Sequence, residues 1–141
     1  MSELINISEQ SPRLKVFDMS ECRAFVARLE ALWNAKDVSA ILPMFTEDAE
    51  IEYGDLPSIK GRDELRRFLQ DRFDHTAFYH LVKTVRLADE PLICVELDVR
   101  SSTVGSPALI SRTRALEVLT ISDSRIAKWE LVANPHPRKE V

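Results

Sequence analysis

The stretch Leu92 to Arg100, LICVELDVR, alternates between apolar and polar side chains. A period of two is typical of a strand with one buried face, because successive side chains point to opposite sides of a sheet. The apolar positions therefore predict a core-facing side, and the others predict a wet or partner-facing side. The first set is Ile93, Val95, Leu97 and Val99, and the second is Cys94, Glu96, Asp98 and Arg100.

The same alternation continues on both sides of this stretch. It begins after Phe78, where helical spacing gives way to a period of two, and it is interrupted by turn residues such as Glu90-Pro91 and Gly105-Ser106-Pro107. Strands separated by such short turns pair in antiparallel order. We expect four consecutive strands, at Tyr79–Leu87, Leu92–Ser102, Ala108–Ile121 and Arg125–Ala133.

Helical patterns come before the strands. Apolar residues recur at helical spacing from an expected N-cap at Ser20 to about Ala35. Asp37 can cap a second helix, which Pro43 should keep short or distorted. A short strand over Ala49–Tyr53 separates these from a third amphipathic helix that starts near Arg62.

The order α-α-β-α-β-β-β-β predicts an α+β fold with a curved, mostly antiparallel sheet wrapped around the first helix. We expect a single domain over residues 20–133, an N-terminal arm over 1–19 and a C-terminal tail over 134–141. The residues expected to be largely buried are Phe25, Leu29, Leu32, Phe68, Val95, Leu97 and Leu119.

Composition argues against several classes of function. The net charge of −4 does not favour nucleic acid or anionic membranes, and no apolar run approaches the roughly 20 residues of a membrane span. Met1–Asp18 lacks the features of a signal peptide, so we expect a cytoplasmic protein. Three scattered glycines exclude a P-loop or dinucleotide fingerprint, and three histidines without ligand spacing predict no metal. We therefore expect no cofactor.

Four parts of the chain resemble a known family. They are Trp33–Val38 (WNAKDV), Met44–Tyr53 (MFTEDAEIEY), Lys60–Leu65 (KGRDEL) and the strand meander that follows. Over residues 20–133 the order and pattern are similar to the nuclear transport factor 2-like superfamily, in particular its SnoaL-like branch. The superfamily also includes polyketide cyclases, scytalone dehydratase and ketosteroid isomerase. The resemblance implies a cystatin-like cone that holds an apolar small molecule and often pairs as a homodimer.

Three residues match functional positions of that superfamily. Tyr53 resembles an active-site tyrosine of scytalone dehydratase, and His80 is similar to a histidine of the same enzyme. Glu117 falls near the position of the oxyanion-stabilising acid of ketosteroid isomerase. Other positions depart from both patterns: the dehydratase's aspartate corresponds to Ala31 and its second histidine to Val95.

The isomerase pattern is also incomplete, because its general-base aspartate falls on Tyr53 and its helix tyrosine on Leu29. The residues themselves leave alternatives open. Glu117 lies in a nearly apolar strand, where it could act as an acid or form an ion pair with Arg112 or Arg114. His80 could exchange protons or be a structural histidine, and Tyr53 could orient a substrate or pack at a rim.

Two functions fit these observations. The first is a cofactor-free acid/base enzyme of dehydratase, isomerase or cyclase type, with His80 as the proton shuttle, Tyr53 holding the substrate oxygen and Glu117 polarising it. The second is a non-catalytic ligand-binding or dimerisation module. An epoxide hydrolase is a more distant alternative. We expect a homodimer through the outer strand face.

The expected pocket wall comprises Trp33, Val95, Leu97, Thr113 and Ala115.

Overall fold

The computed structural model of the chain describes residues 17–134 and the backbone of residues 138–140. Helices and a short 3₁₀ turn occupy the first half, and long strands occupy the second. No helix in this described part is long and apolar enough to cross a membrane. The elements are α1 (Met19–Asn34), α2 (Val38–Ile41), a 3₁₀ turn (Leu42–Met44), β1 (Phe45–Tyr53), β2 (Ile59–Lys60), α3 (Arg62–Asp74), β3 (Thr76–Asp89), β4 (Leu92–Thr103), β5 (Ser106–Ser122), β6 (Arg125–Ala133) and β7 (Arg138–Glu140).

The strands form one curved sheet in the order β2-β1-β6-β5-β4-β3, with β7 paired to β5. Every pairing is antiparallel except that of β1 with β6, which is parallel. The predicted α+β class and the antiparallel meander are confirmed. The structure adds β2 and β7, which the sequence patterns do not indicate.

β1 starts earlier than predicted, at Phe45 rather than Ala49. The residues that follow Phe45, Thr46 to Asp48, are polar. The register with β6 shifts between Phe45 and Glu50. A bulge of this kind breaks the period of two, so alternation alone does not detect the start of the strand.

Helix α1 lies against the concave face. Its buried residues, Cys22, Val26, Leu29 and Trp33, recur at helical spacing. The helix is capped by Asp18, whose carboxylate accepts a hydrogen bond of 2.7 Å from the Glu21 amide. The expected cap at Ser20 is therefore wrong: Ser20 lies inside the first turn, because the chain has a better acceptor two residues earlier.

The core forms between α1, α3 and the sheet. Four of the seven residues expected to be buried are so, namely Leu29, Val95, Leu97 and Leu119. The other three, Phe25, Leu32 and Phe68, are partly buried and pack against that core. Burial of this apolar surface is the main force that holds the helices on the sheet.

Side chains of α1 also bind the backbone of the edge strand β3. The Asn34 carboxamide donates to the Leu81 carbonyl and accepts from the Leu81 amide, both at 2.8 Å. The Lys83 amide donates to the Glu30 carboxylate at 2.6 Å. These three hydrogen bonds attach α1 to β3 and satisfy edge groups of β3 that no described strand pairs with.

The ends of the chain were expected to be an arm and a tail. Residues 1–16 of the arm lie outside the described residues, and α1 begins at Met19, the last position of that arm. In the tail, the backbone of Arg138–Glu140 pairs with Ile110–Arg112 of β5. Pro135, His136 and Pro137 lie outside the described residues.

Candidate active site

A cavity of about 300 Å³ lies between the concave face of the sheet, α1 and α3. Its wall is mostly aromatic and aliphatic, with a few polar groups that converge on it, which is the usual form of a small-molecule site. Four of the five residues expected in the pocket wall line this cavity, and so does Tyr53. These residues are Trp33, Tyr53, Leu97, Thr113 and Ala115.

A second cavity, of about 410 Å³, lies near the first turn of α1. It is bordered by Phe17, the first described residue, and by Cys22, Phe25 and Ile93. Its charged groups, which include Glu21 and Asp123, are all acidic, and it holds no buried proton-exchanging pair. The interior cavity is therefore the candidate site.

A buried ion pair occupies one side of the interior cavity. Lys83 Nζ lies 2.6 Å from Glu117 Oε2, and the two side chains are 3% and 0% exposed. Trp129 Nε1 donates a hydrogen bond of 2.9 Å to the other carboxylate oxygen, Oε1. Lys83 lines the cavity, with Nζ 5.4 Å from the centre of the Trp33 ring, and Glu117 lies behind it.

The strand registers bring this pair together. Lys83 of β3 is opposite Leu97 of β4, and Glu117 of β5 is opposite Val95 of the same strand. Leu97 and Val95 are two residues apart, so all four side chains point to the concave face. The pair thus spans three adjacent strands and depends on their alignment.

Two tyrosines add hydroxyl groups to the wall. Tyr53 packs edge-on against Trp129, with ring centres 5.6 Å apart, and Tyr79 packs edge-on against Phe73 at 6.1 Å. Burial raises the pKa of Tyr53, an effect opposed by nearby Arg72 and reinforced by Glu117. Burial also raises the pKa of Tyr79 strongly. Both phenols therefore stay protonated near neutral pH and can serve as hydrogen-bond donors.

Basic groups lie at the mouth of the cavity. The Arg72 guanidinium stacks over the Tyr53 ring, 4.5 Å from its centre, and lies 5.7 Å from the centre of Phe68. The exposed His75 lies one helical turn after Asp71, and a hydrogen bond with the Asp71 carbonyl raises the pKa of this histidine. Asp71 lines the cavity as well, so this region combines charges of both signs with aromatic surface.

His80 is not in the cavity, and its expected place there is wrong. Its neighbour Leu81 points inward and is buried, so the alternation of β3 turns His80 outward, where it is exposed opposite Arg100. Within the described residues, no group of three or more His, Cys, Asp or Glu side chains could hold a metal ion.

Two further expectations need correction. Val95 is fully buried beside Glu117 and does not line the cavity. The partners considered for Glu117, Arg112 and Arg114, lie on the outer face instead, because they differ from Glu117 by odd numbers of positions along one strand. They pair there with Asp98 and Glu96.

Lys83, Tyr79 and Arg72 are cavity residues that the sequence reasoning missed. A signal for two of them was present. Tyr79 and Lys83 are each two residues from Leu81, so the alternation of β3 places them on the same face as this apolar residue. A lysine on an otherwise apolar strand face is unusual enough to mark a functional position.

Comparison with known proteins agrees with this architecture. The sequence model of the SnoaL-like domain matches residues 26–129. No curated protein sequence matches the chain significantly.

Several solved structures share the fold. One is SalBIII, an epoxide hydrolase/cyclase-like enzyme with a role in pyran ring formation in the polyether salinomycin. It is 21% identical to this chain with a TM-score of 0.73, over 84% of this chain and 94% of that one. A candidate polyketide cyclase from Pseudomonas putida KT2440 is 18% identical with a TM-score of 0.70, over 79% and 90%. An NTF2-like protein of unknown function from Burkholderia pseudomallei K96243 is 16% identical with a TM-score of 0.71, over 79% and 89%.

At these identities the similarity shows the fold alone. The match of the family model covers most of the chain and includes the second half of α1, strands β1 to β5 and both tryptophans. It confirms the resemblance drawn from the WNAKDV and KGRDEL segments. The chain belongs to the SnoaL-like domain family, within the nuclear transport factor 2-like superfamily.

Proposed function

We propose that the chain is a cofactor-free acid/base enzyme that acts on an apolar carbonyl or hydroxyl compound in the interior cavity. The observation that carries this proposal is the Lys83–Glu117 pair, which is removed from solvent and yet borders the cavity. The reactions that suit it are dehydration, isomerisation and aldol-type cyclisation.

Stability does not account for this pair. Removing two charges from water costs several kcal/mol per ion, and replacing a buried ion pair with apolar side chains is often neutral or stabilising. The surrounding Leu97, Val95 and Trp33 are themselves apolar and buried. A charged pair at a cavity wall is therefore better explained by a task that requires proton exchange.

Each polar group has a distinct capacity. Lys83 can donate a hydrogen bond or a proton to a ligand oxygen, and Glu117 Oε2 can exchange a proton with Lys83 Nζ. The hydroxyls of Tyr53 and Tyr79, which stay protonated, can hold the same oxygen or a second one. Trp129 keeps the carboxylate in place by its bond to Oε1.

The substrate class follows from the wall. A volume of about 300 Å³ lies at the lower end for small-molecule sites and suits a ligand of one or two rings. The names of two structural neighbours, an epoxide hydrolase/cyclase-like enzyme and a candidate polyketide cyclase, support a compound of polyketide type.

A non-catalytic binding module is the second candidate. It is favoured by the outward position of His80 and by Ala31 and Val95, which stand where the dehydratase pattern has an aspartate and a histidine. Such a module would bind the same ligands without turning them over, so chemistry on a bound compound separates the two functions.

Native mass spectrometry of the purified protein, followed by extraction of any bound compound, tests the proposal first. Thermal-shift measurements with 1-tetralone, 2-naphthol and decalin then compare carbonyl, hydroxyl and purely apolar probes of similar size. We expect the two oxygen-bearing probes to raise the melting temperature more than decalin does, and Lys83→Met to remove that preference. The exposed His80→Ala is the matched control and should keep it. Equal shifts for all three probes, or none, would contradict the proposal.

We also propose a homodimer through the outer face of the sheet. Leu116 and Val132 are opposite each other on β5 and β6 and are 51% and 71% exposed. They adjoin Glu96 and Arg114, which carry both signs of charge and suit a two-fold contact. Light scattering at micromolar concentration should give about twice the chain mass of 16.1 kDa, and Leu116→Lys should restore the monomer. A monomeric wild type would contradict this assembly.

A further inference from the structure

We propose that Lys83 is a covalent nucleophile that forms a Schiff base with the carbonyl carbon of an aldehyde or ketone in the interior cavity. This rests on the proposed function, since it uses the same cavity, and it narrows the substrate from carbonyl or hydroxyl compounds to carbonyl compounds. Lysine is the side chain that enzymes use for this chemistry when its amine is held in an apolar site.

The position of Nζ is the first support. The Lys83 side chain is 3% exposed, and its amine faces the Trp33 ring and the cavity. Lys60 and Lys128 differ, since their side chains are 69% and 35% exposed. An ammonium group in water has no free electron pair with which to attack a carbonyl.

A proton acceptor lies at hydrogen-bond distance. Glu117 Oε2 is 2.6 Å from Nζ, while Oε1 is occupied by Trp129. Transfer of one proton from Nζ to Oε2 converts the ion pair into a neutral amine and a neutral carboxylic acid. Because both side chains are almost completely removed from solvent, the neutral forms avoid the cost of burying two charges.

The step balances without any further reactant. The free amine adds its electron pair to the carbonyl carbon, and the carbonyl oxygen becomes a hydroxyl with the proton displaced from nitrogen. The Glu117 carboxylic acid then protonates this hydroxyl, which leaves as water as the C=N bond forms. The products are an iminium cation on Lys83, a carboxylate on Glu117 and one water molecule, so charge is conserved.

The surrounding structure fixes the backbone that carries the amine. The Lys83 backbone amide is bound to Glu30 of α1, and β3 is paired with β4 on its other side. The hydroxyls of Tyr53 and Tyr79 border the same cavity and stay protonated, so they can donate to the oxygen that leaves.

Reductive trapping tests the inference. The full-length protein is incubated at neutral pH with acetone or 1-tetralone and sodium cyanoborohydride, and the modified lysines are located by peptide mass spectrometry. We expect alkylation of Lys83 to exceed that of Lys128 by at least about tenfold, because exposed ammonium groups react slowly. Lys83→Arg keeps the positive charge beside Glu117 and should abolish this selective modification, and Lys128→Arg is the matched control that should not change it.

The mapping in the wild-type protein decides the matter even if Lys83→Arg does not fold. Equal modification of all lysines, or modification that spares Lys83, overturns the inference. If 1-tetralone stabilises the protein thermally but never labels Lys83, the inference fails while the proposed function stands. If 1-tetralone neither stabilises the protein nor labels Lys83, both fail.

Discussion

The two faces of the sheet each carry a close ion pair, and the two pairs differ mainly in their contact with water. On the concave face, Lys83 and Glu117 are 2.6 Å apart with side chains 3% and 0% exposed. On the outer face, Arg112 and Asp98 are also 2.6 Å apart, but their side chains are 35% and 34% exposed. The distances are equal, and the environments are opposite.

This difference determines what each pair can do. The outer pair stays partly hydrated, and water screens the attraction between its charges. This pair therefore contributes little to stability. The inner pair has lost that solvation, so each ion depends on the other and on Trp129. Separation of the pair by mutation should therefore have very different effects on the two faces.

The largest effect is expected from Lys83→Met. It leaves the Glu117 carboxylate buried with Trp129 as its only described hydrogen-bond donor, and removal of one partner of a buried pair typically costs about 3–5 kcal/mol. Urea denaturation should show a loss of free energy of unfolding in that range. A loss of less than about 1 kcal/mol in the free energy of unfolding is typical of surface pairs. Such a result would mean that the buried pair and the exposed pair contribute equally to stability.

The double variant Lys83→Met/Glu117→Gln should recover most of that loss. Glutamine keeps an oxygen for the Trp129 indole while neither side chain is charged, so the desolvation cost disappears. We expect a free energy of unfolding within about 1 kcal/mol of the wild type, together with loss of selectivity for oxygen-bearing probes. A double variant as unstable as Lys83→Met would mean that the pair is needed for folding.

Asp98→Asn probes the outer pair and should cost only about 0.5–1 kcal/mol at pH 7. Hydrogen bonds from Arg112 hold the pKa of Asp98 below its usual value, against the opposing effect of partial burial. A carboxyl with a lowered pKa stabilises the fold above its ordinary pKa and loses that contribution as the pH falls through the folded value. The difference between wild type and variant in urea denaturation should therefore shrink towards zero as the pH falls below about 4. A difference that grows on acidification would contradict this assignment.

His80→Ala should have the smallest effect. The side chain is exposed on the outer face, away from the cavity, and surface substitutions usually change stability by less than about 0.5 kcal/mol. Probe binding, measured by thermal shift, should be unchanged. A large loss of binding would mean that His80 faces the cavity and that the two faces of β3 are assigned the wrong way round.

Most of the fold is predictable from the sequence because it rests on repeated patterns. The alternation of LICVELDVR gives the facing of β4, and the spacing of Cys22, Val26 and Leu29 gives the buried side of α1. Many residues contribute to each pattern, so one exception does not alter it. The start of β1 was harder, because a bulge breaks its period.

The site is less predictable because it depends on single residues that break those patterns. In β3 the outward Val82 is apolar and the inward Lys83 is charged, so local alternation does not reveal which face is buried. His80 matched the superfamily by sequence position, yet its face is decided by the pairing of Leu81 with Val99. For Glu117 the sequence left open an acid role or an ion pair with Arg112 or Arg114, because the partner that it has, Lys83, lies 34 residues away.

The hydrogen bonds between the side chains of Asn34 and Glu30 in α1 and the backbone of β3 have a consequence for association. β3 forms one end of the sheet, and an uncovered end is a template on which a foreign strand can add and aggregation can begin. Asn34 occupies both hydrogen-bonding groups of Leu81, and Glu30 occupies the amide of Lys83, so these three groups are not available to an incoming chain. The helix thus acts as a permanent substitute for a missing strand. This end of the sheet is consequently protected against the addition of a strand from another copy at Leu81 and Lys83.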